Sequence, residues 1–193
     1  VSGNIRFMPD GEVIESAGLA ENDLAWQLTF THPEGAWDFD RGVVALGGAV
    51  IEAAATRGLH IRGSTGMVRL EDWLSLSRGG GKRTGVVDRI RSIDLTIDDL
   101  FIVGQHLLGH RVRVDRSSRD WLVQLEGEDI IGSIFVPYDF GGGRPMVFEM
   151  EKMRLPGDEA DSGASNELDP RKLPPMTLSV KNFSFGDRHL GAV

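Results

Sequence analysis

The sequence contains no cysteine, which excludes disulfides and zinc–thiolate sites. A thiol-free chain suits an oxidising compartment, where stray thiols would mispair. No apolar run approaches the ~20 residues that a bilayer-spanning helix needs. No signal peptide opens the chain, which begins at Val1 with a polar stretch. Positive charge is in deficit: 21 Lys and Arg stand against 29 Asp and Glu, a formal net charge of -8. That balance argues against nucleic acid, whose phosphates reward clustered cations, and mildly against docking on anionic headgroups. It leaves apolar ligands open. Both ends read as cuts in a longer protein, with residues 190–193 stopping at the start of a strand. Any anchor or targeting signal then lies outside these 193 residues.

The residue patterns of catalysis and metal binding are also missing. The glycine-rich stretch at 77–85 contains Gly81 and Lys82, but Arg83 stands where a phosphate-binding loop needs Ser or Thr. It reads as a solvated linker. Asp94, Asp98 and Asp99 lack the spacing, the Gly and the Glu of a calcium loop, and they read as a solvated strand face. His106 and His110 are four apart, a spacing that puts two ligands on one face only in a helix, and their surroundings are strand-like. Ser64 and Ser133 have no evident base, and no nucleophile elbow occurs. The sequence predicts no enzyme, no cofactor and no metal.

What the chain does have is alternation. Hydrophobic residues make up 40% of it, enough for a core, and their dominant period is two. Leu24, Trp26 and Leu28 alternate with Ala25 and Gln27. Ile93, Leu95 and Ile97 alternate with Asp94 and Thr96. Val112 and Val114 alternate with Arg111, Arg113 and Asp115, and Trp121, Val123 and Leu125 flank Leu122 and Gln124. Successive strand side chains point to opposite faces, so each run has one apolar and one largely polar side, as antiparallel sheets with one dry face do. Further strands are predicted at 4–7, 13–19, 37–39, 41–46, 59–63, 67–70, 130–136, 146–151 and 177–185, with turns at 9–11, 32–35, 117–120 and 141–143. One short helix is predicted at 71–76, and helix propensity favours a second at 51–57. The acidic, small-residue run at 157–169, followed by prolines, predicts a mobile linker. The chain thus divides into a β-sheet segment at 1–156, a linker at 157–175, and a last piece at 176–193 that starts a further repeat and joins the same sheet, being too short for a core of its own. Residues 95–109 and 178–191 are similar, sharing Leu, Ser/Thr, Ile/Val, an apolar residue three further on, Gly, and a closing Leu-Gly. Such a repeat predicts units that bury their faces against their neighbours.

A succession of short stretches carries a family resemblance. Residues 41–48 (RGVVALGG), 58–63 (GLHIRG) and 68–73 (VRLEDW) come first. Asp120-Trp121, the strand at 130–137 with Gly132, and residues 153–156 (MRLP) follow. Residues 169–174 (DPRKLP), Leu178-Ser179-Val180, Phe185-Gly186-Asp187 and Leu190-Gly191 close the series. In this order and spacing the chain from Arg41 onward resembles the YhdP family, the very large members of the AsmA-like envelope proteins; residues 1–40 match in strand pattern alone. The resemblance implies an elongated, curved, mainly antiparallel sheet whose concave face is an apolar groove. It implies a periplasmic middle segment of a protein anchored in the inner membrane of Gram-negative bacteria, carrying phospholipid between inner and outer membranes. Phospholipid acyl chains are the implied partners, with inner- and outer-membrane proteins reached through parts outside the fragment. No catalytic residues carry over.

Under that reading the groove candidates are Leu24, Trp26, Leu28, Ile93, Leu95, Ile97, Trp121, Val123, Leu125, Ile134 and Val136. The alternatives are a structural or interaction β-domain with a closed core, and a carbohydrate-active β-sandwich. The latter needs a carboxylate pair facing one cleft, which the sequence does not place.

Overall fold

The computed structural model describes residues 2–7, 13–20, 23–32, 35–69, 87–102, 105–138, 143–155 and 175–193. Twelve strands run along them: β1 (Ser2–Phe7), β2 (Val13–Ala20), β3 (Leu24–Thr31), β4 (Asp38–Leu46), β5 (Gly58–Arg69), β6 (Ile90–Ile102), β7 (Gln105–Arg116), β8 (Asp120–Glu126), β9 (Ile130–Pro137), β10 (Met146–Leu155), β11 (Met176–Phe185) and β12 (Arg188–Gly191). All belong to one sheet, in strict sequence order from β1 to β12. The fold class is the one that the alternation predicts, all β and mainly antiparallel. The helical content among the described residues is a 3₁₀ turn at Val87–Arg89 and a 3₁₀ position at Gly35.

Where the structure departs from the sequence reading, the cause is topological. Residues 51–57 are not helical. They belong to the connection between β4 and β5, which pair in parallel from Arg41 opposite Gly58 to Leu46 opposite Gly63. Parallel neighbours need a connection that carries the chain back along the strand, and residues 47–57 supply it, held by Arg57 on Asp40 and Arg62 on Glu52. β10 and β11 are also parallel, from Met146 opposite Met176 to Leu155 opposite Phe185. The acidic stretch at 157–169 falls within that second return connection. β5 and β6 advance in the same sense: Gly58 lies beside Arg89 and Arg91, and His60 bonds Ser92 at 2.7 Å. The predicted strands at 37–39 and 41–46 are one strand, as are 59–63 and 67–70 in their described parts. The predicted helix at 71–76, the linker at 157–169 and the basic loop at 77–85 lie outside the described residues.

The chain divides into two compact units, Val1–Thr65 with Gly81–Leu95, and Gly66–Gly80 with Thr96–Val193. In the first, β2, β3 and β4 pair antiparallel, with Trp26 opposite Gly18 and Val44, and Leu28 opposite Ser16 and Gly42. In the second, β7 to β10 form an antiparallel run that continues into parallel β11.

The two similar stretches adopt equivalent structure. Each first strand follows a long return connection, and each leads into a partner strand. Ile97 and its counterpart Val180 are both 2% exposed. The closing glycines, Gly109 and Gly191, both take left-handed backbone angles (φ 64° and 82°), and the leucines before them, Leu108 and Leu190, are both exposed. A left-handed residue inside a strand favours glycine, which has no Cβ to clash. At Gly109 it breaks the alternation, so that Leu107 and His110 are both fully buried although three residues apart.

Candidate functional site

Cross-strand register decides which side chains share a face. In the second unit Val112 lies opposite Leu125 and Val114 opposite Val123. Val123 in turn faces Ile134, and Trp121 faces Val136. Ile134 faces Phe148, and Gly132 faces Met150. Phe148 and Met150 pair with Leu178 and Val180. Paired residues stand on the same side of a sheet, so one face of β7 to β11 is apolar in five consecutive strands. Of the candidates read from the sequence, Trp121, Val123, Leu125, Ile134 and Val136 all stand on it.

The middle of this face is closely packed and its flank is open. Leu125, Ile134, Met146, Met150 and Val180 are at most 5% exposed. Val112, Val114, Trp121, Val123, Val136 and Phe148 are half-buried. On β11, Met176 and Leu178 are 46% and 44% exposed. Among the described residues no helix and no second sheet lies over it. The opposite face carries Arg113 paired with Glu126 at 2.9 Å, together with Gln124, Ser133 and Glu149. It is not wholly polar, since Leu122, Phe135 and Val147 line up across β8, β9 and β10.

In the first unit Leu24, Trp26 and Leu28 share a face with Val44 and, through the parallel pair, with Ile61. The His60–Ser92 bond sets those two residues on the other face, so alternation puts Ile93 and Leu95 on the side of Ile61. The large side chains Leu24, Trp26, Leu28, Val44, Ile61 and Leu95 are half-buried there, whereas Ile93 is buried. Complete burial on the opposite face belongs to small residues, Val43 and Ala45, beneath His60 and Arg62. Ile97 continues the alternation of β6 and is buried in the second unit.

The sequence reading missed Val44, Ile61, Met146, Phe148, Met150, Leu178 and Val180 as members of these faces. Alternation at Met146, Phe148 and Met150 was visible; that the same face continues across a parallel pair was not.

Three polar features adjoin the faces. Asp40, 8% exposed, is held by Arg41 and Arg57, each at 2.7 Å, and these two cations keep its carboxyl below the usual range. His110 is fully buried, and neither ring nitrogen makes a hydrogen bond of ordinary geometry. Burial lowers its pKa, with the Leu108 backbone and Asp129 acting the other way. At one end of the apolar face, Arg116 lies over the rings of Trp121 and Tyr138 at 5.4 and 5.1 Å. Among the described residues, no three His, Asp or Glu side chains gather as a metal site.

The match to known proteins lies at the level of the family. The family model described as YhdP protein matches residues 2–193. No curated protein and no solved structure matches the chain. With nearly every residue covered by that match, the chain belongs to the YhdP family.

Proposed function

We propose that this chain is a periplasmic segment of an inner-membrane-anchored, AsmA-like envelope protein that carries phospholipid between the inner and outer membranes, the acyl chains lying along the apolar strand faces. The observation that carries the reading is that large apolar side chains stand in register on one face of consecutive strands yet remain only partly buried, as Trp121, Val123, Val136 and Phe148 do. A lipid crossing an aqueous space must keep its methylenes out of water, at ~0.8 kcal/mol each. A strip of alternating strands meets that need without any specific polar contact, and the chemistry belongs to a surface rather than to a catalytic constellation. Membership of the family supports the same reading.

A photo-crosslinker at position 123 tests it. In cells, with the protein folded and abundant, the crosslinker is expected to capture phospholipid. Capture of none there, and none at positions 121, 136 and 148, would discard the conduit. The competing reading is a structural β-domain whose apolar face is a closed core. It draws on the near-complete burial of Leu125, Ile134, Met146, Met150 and Val180. The substitution Val123→Asp separates the two. On a lipid-bearing face it blocks transport while the protein still folds. In a closed core it buries an unpaired carboxylate, which costs several kcal/mol and unfolds a marginal domain.

A further inference from the structure

On the face turned away from the apolar strip, the two copies of the repeat differ at one corner. Against β9 the register shifts between Met150 and Lys152, so Met150 lies opposite Gly132 on the apolar face whereas Lys152 lies opposite Ile131 on the other. Arg154 follows Lys152 on that side, where Arg154 lies opposite Ser184 and Ser184 opposite His189 across β10, β11 and β12. In the first copy the counterpart of Ser184 is Phe101, at the spacing that relates Ile97 to Val180. The Arg69 guanidinium lies over the Phe101 ring at 5.2 Å, the His106 imidazole stacks on it at 4.5 Å, and His106 meets Asp99 at 2.6 Å. That corner is filled by its own side chains. In the second copy a hydroxyl stands in place of the ring. Ser184 Oγ lies 3.3 Å from His189 Nδ1, and a cleft of about 300 Å³ opens between Lys152, Arg154, Ser184, Gly186, Asp187 and His189. The Gly186 amide donates to the Leu155 carbonyl at 2.9 Å and ties the β11–β12 turn to β10. Lys152 uses one of its three donors on the Glu128 carbonyl at 2.5 Å. Among the described residues, no hydrogen bond or ion pair occupies the Arg154 guanidinium.

We propose that this cleft is an oxyanion site, which takes a phosphate group, free or on a lipid headgroup, between Arg154, Lys152 and the Ser184–His189 pair. The inference stands apart from the lipid-carrying reading, because the cleft lies on the other side of the sheet. The fit is in the number and kind of donors. A guanidinium offers a planar fork that matches phosphate oxygens two at a time. The Lys152 ammonium has donors left over, and a serine hydroxyl rotates to donate where an oxygen stands. None of the six lining residues is hydrophobic, and the cleft is at the low end of the size range for small-ligand sites. Asp187 sets one negative charge against two permanent positive ones, so the cleft is net cationic in a chain whose formal net charge is -8. The comparison of the copies supplies the reason for a ligand. An arginine over a ring has its partner within the fold; an arginine over a serine has room and donors for one from outside.

Two probes separate the sources of the phosphate. Inorganic phosphate is titrated into the protein by calorimetry at low ionic strength, where charge pairing at a surface is least screened. Vesicles of phosphatidylglycerol and phosphatidylcholine are co-sedimented with the protein, with and without competing phosphate. The native protein is expected to bind inorganic phosphate. Arg154→Gln should weaken that binding about tenfold or more, the effect of losing a hydrogen bond to a charged group. Ser184→Phe rebuilds the ring of the first copy beside Arg154 and should abolish binding while circular dichroism shows the native fold. Arg6→Gln removes the same charge from an exposed position on β1 and should leave the affinity unchanged. Vesicle binding that phosphate competes away and Arg154→Gln reduces assigns the site to a headgroup; phosphate binding without vesicle binding assigns it to a soluble phosphate ester. If one cleft variant does not fold, the other decides. No phosphate binding by the folded native protein overturns the site. So does an affinity unchanged in every cleft variant that folds, or an equal loss in Arg6→Gln. Lipid capture at position 123 is independent of all these outcomes.

Discussion

At the scale of single residues, His110 is the side chain whose chemistry departs furthest from its surroundings. Its ring sits opposite the β8–β9 turn, where Gly127 leaves room for it; a methyl on Gly127 would come within 2.7 Å of the ring's Cγ. Burial makes the charged form unfavourable, so the folded-state pKa lies below the ordinary value of 6.5. The sign follows: the unfolded chain binds the proton more readily, so the stabilisation is complete above about pH 6.5 and is lost as pH falls below it. Thermal unfolding of the native protein is expected to shift to lower temperature between about pH 7.5 and about pH 5, in the range where histidine titrates. His110→Leu removes two unsatisfied nitrogens and should leave neutral-pH stability within ~1 kcal/mol, because exchanging an unpaired buried polar group for an apolar one is near neutral. The His110→Leu variant should lose most of the pH dependence; an unchanged slope would assign it to other groups. Asp40 has the opposite sign. Its carboxyl is held below 3.8 by Arg41 first and Arg57 also, so its contribution is present above about pH 4 and disappears below it. Asp40→Asn should destabilise the protein by ~1–3 kcal/mol at neutral pH, since it leaves two cations without their shared counter-charge. Chemical denaturation measures this directly.

At the scale of elements, the strands are products of alternation, and their glycines are products of crowding. Gly132 lies between Leu125 and Met150 on the apolar face. A methyl there would stand 2.7 Å from the Glu149 carbonyl oxygen and 2.8 Å from the Met150 Cα. Backbone on a neighbouring strand cannot give way as a flexible side chain does. Gly132→Val should therefore cost ~1–3 kcal/mol, the range for overpacking a well-filled site, seen as a lowered denaturation midpoint with an unchanged dependence on denaturant concentration. Most strands were legible before the structure, because the two-residue period is a local property of extended backbone and shows in Trp121, Val123 and Leu125 as plainly as in Ile93, Leu95 and Ile97. Residues 51–57 misled for the same reason. Helix propensity is local and favoured Glu52, Ala53 and Ala54, but the segment has to carry the chain back along β4 so that β5 can pair in parallel. Irregularities were likewise hidden. The shift between Met150 and Lys152 against β9, and the left-handed Gly109, change which residues share a face, and neither follows from periodicity.

At the scale of the whole molecule, the strand order β1 to β12 is the simplest a sheet can have, and far-ultraviolet circular dichroism should show a β spectrum without a helical double minimum. The sequence by itself determined that the chain is all β, that each alternating strand has an apolar side, that no nucleophile elbow or metal-ligand spacing is present, and that residues 95–109 and 178–191 are similar. These follow from the pleat, which sends successive side chains to opposite faces whatever the partner strand is. Tertiary structure alone decided which strands run parallel, which apolar sides stand in register, and how far each is exposed. The two-residue period is the same for parallel and antiparallel neighbours and carries no information on register, and exposure depends on what lies across the sheet rather than along it. So Val123 could be read as facing inward with Trp121, but not as lying opposite Val114 and Ile134. The pairing of β7 with β8 is what sets Arg116 over Trp121 at the end of the apolar face.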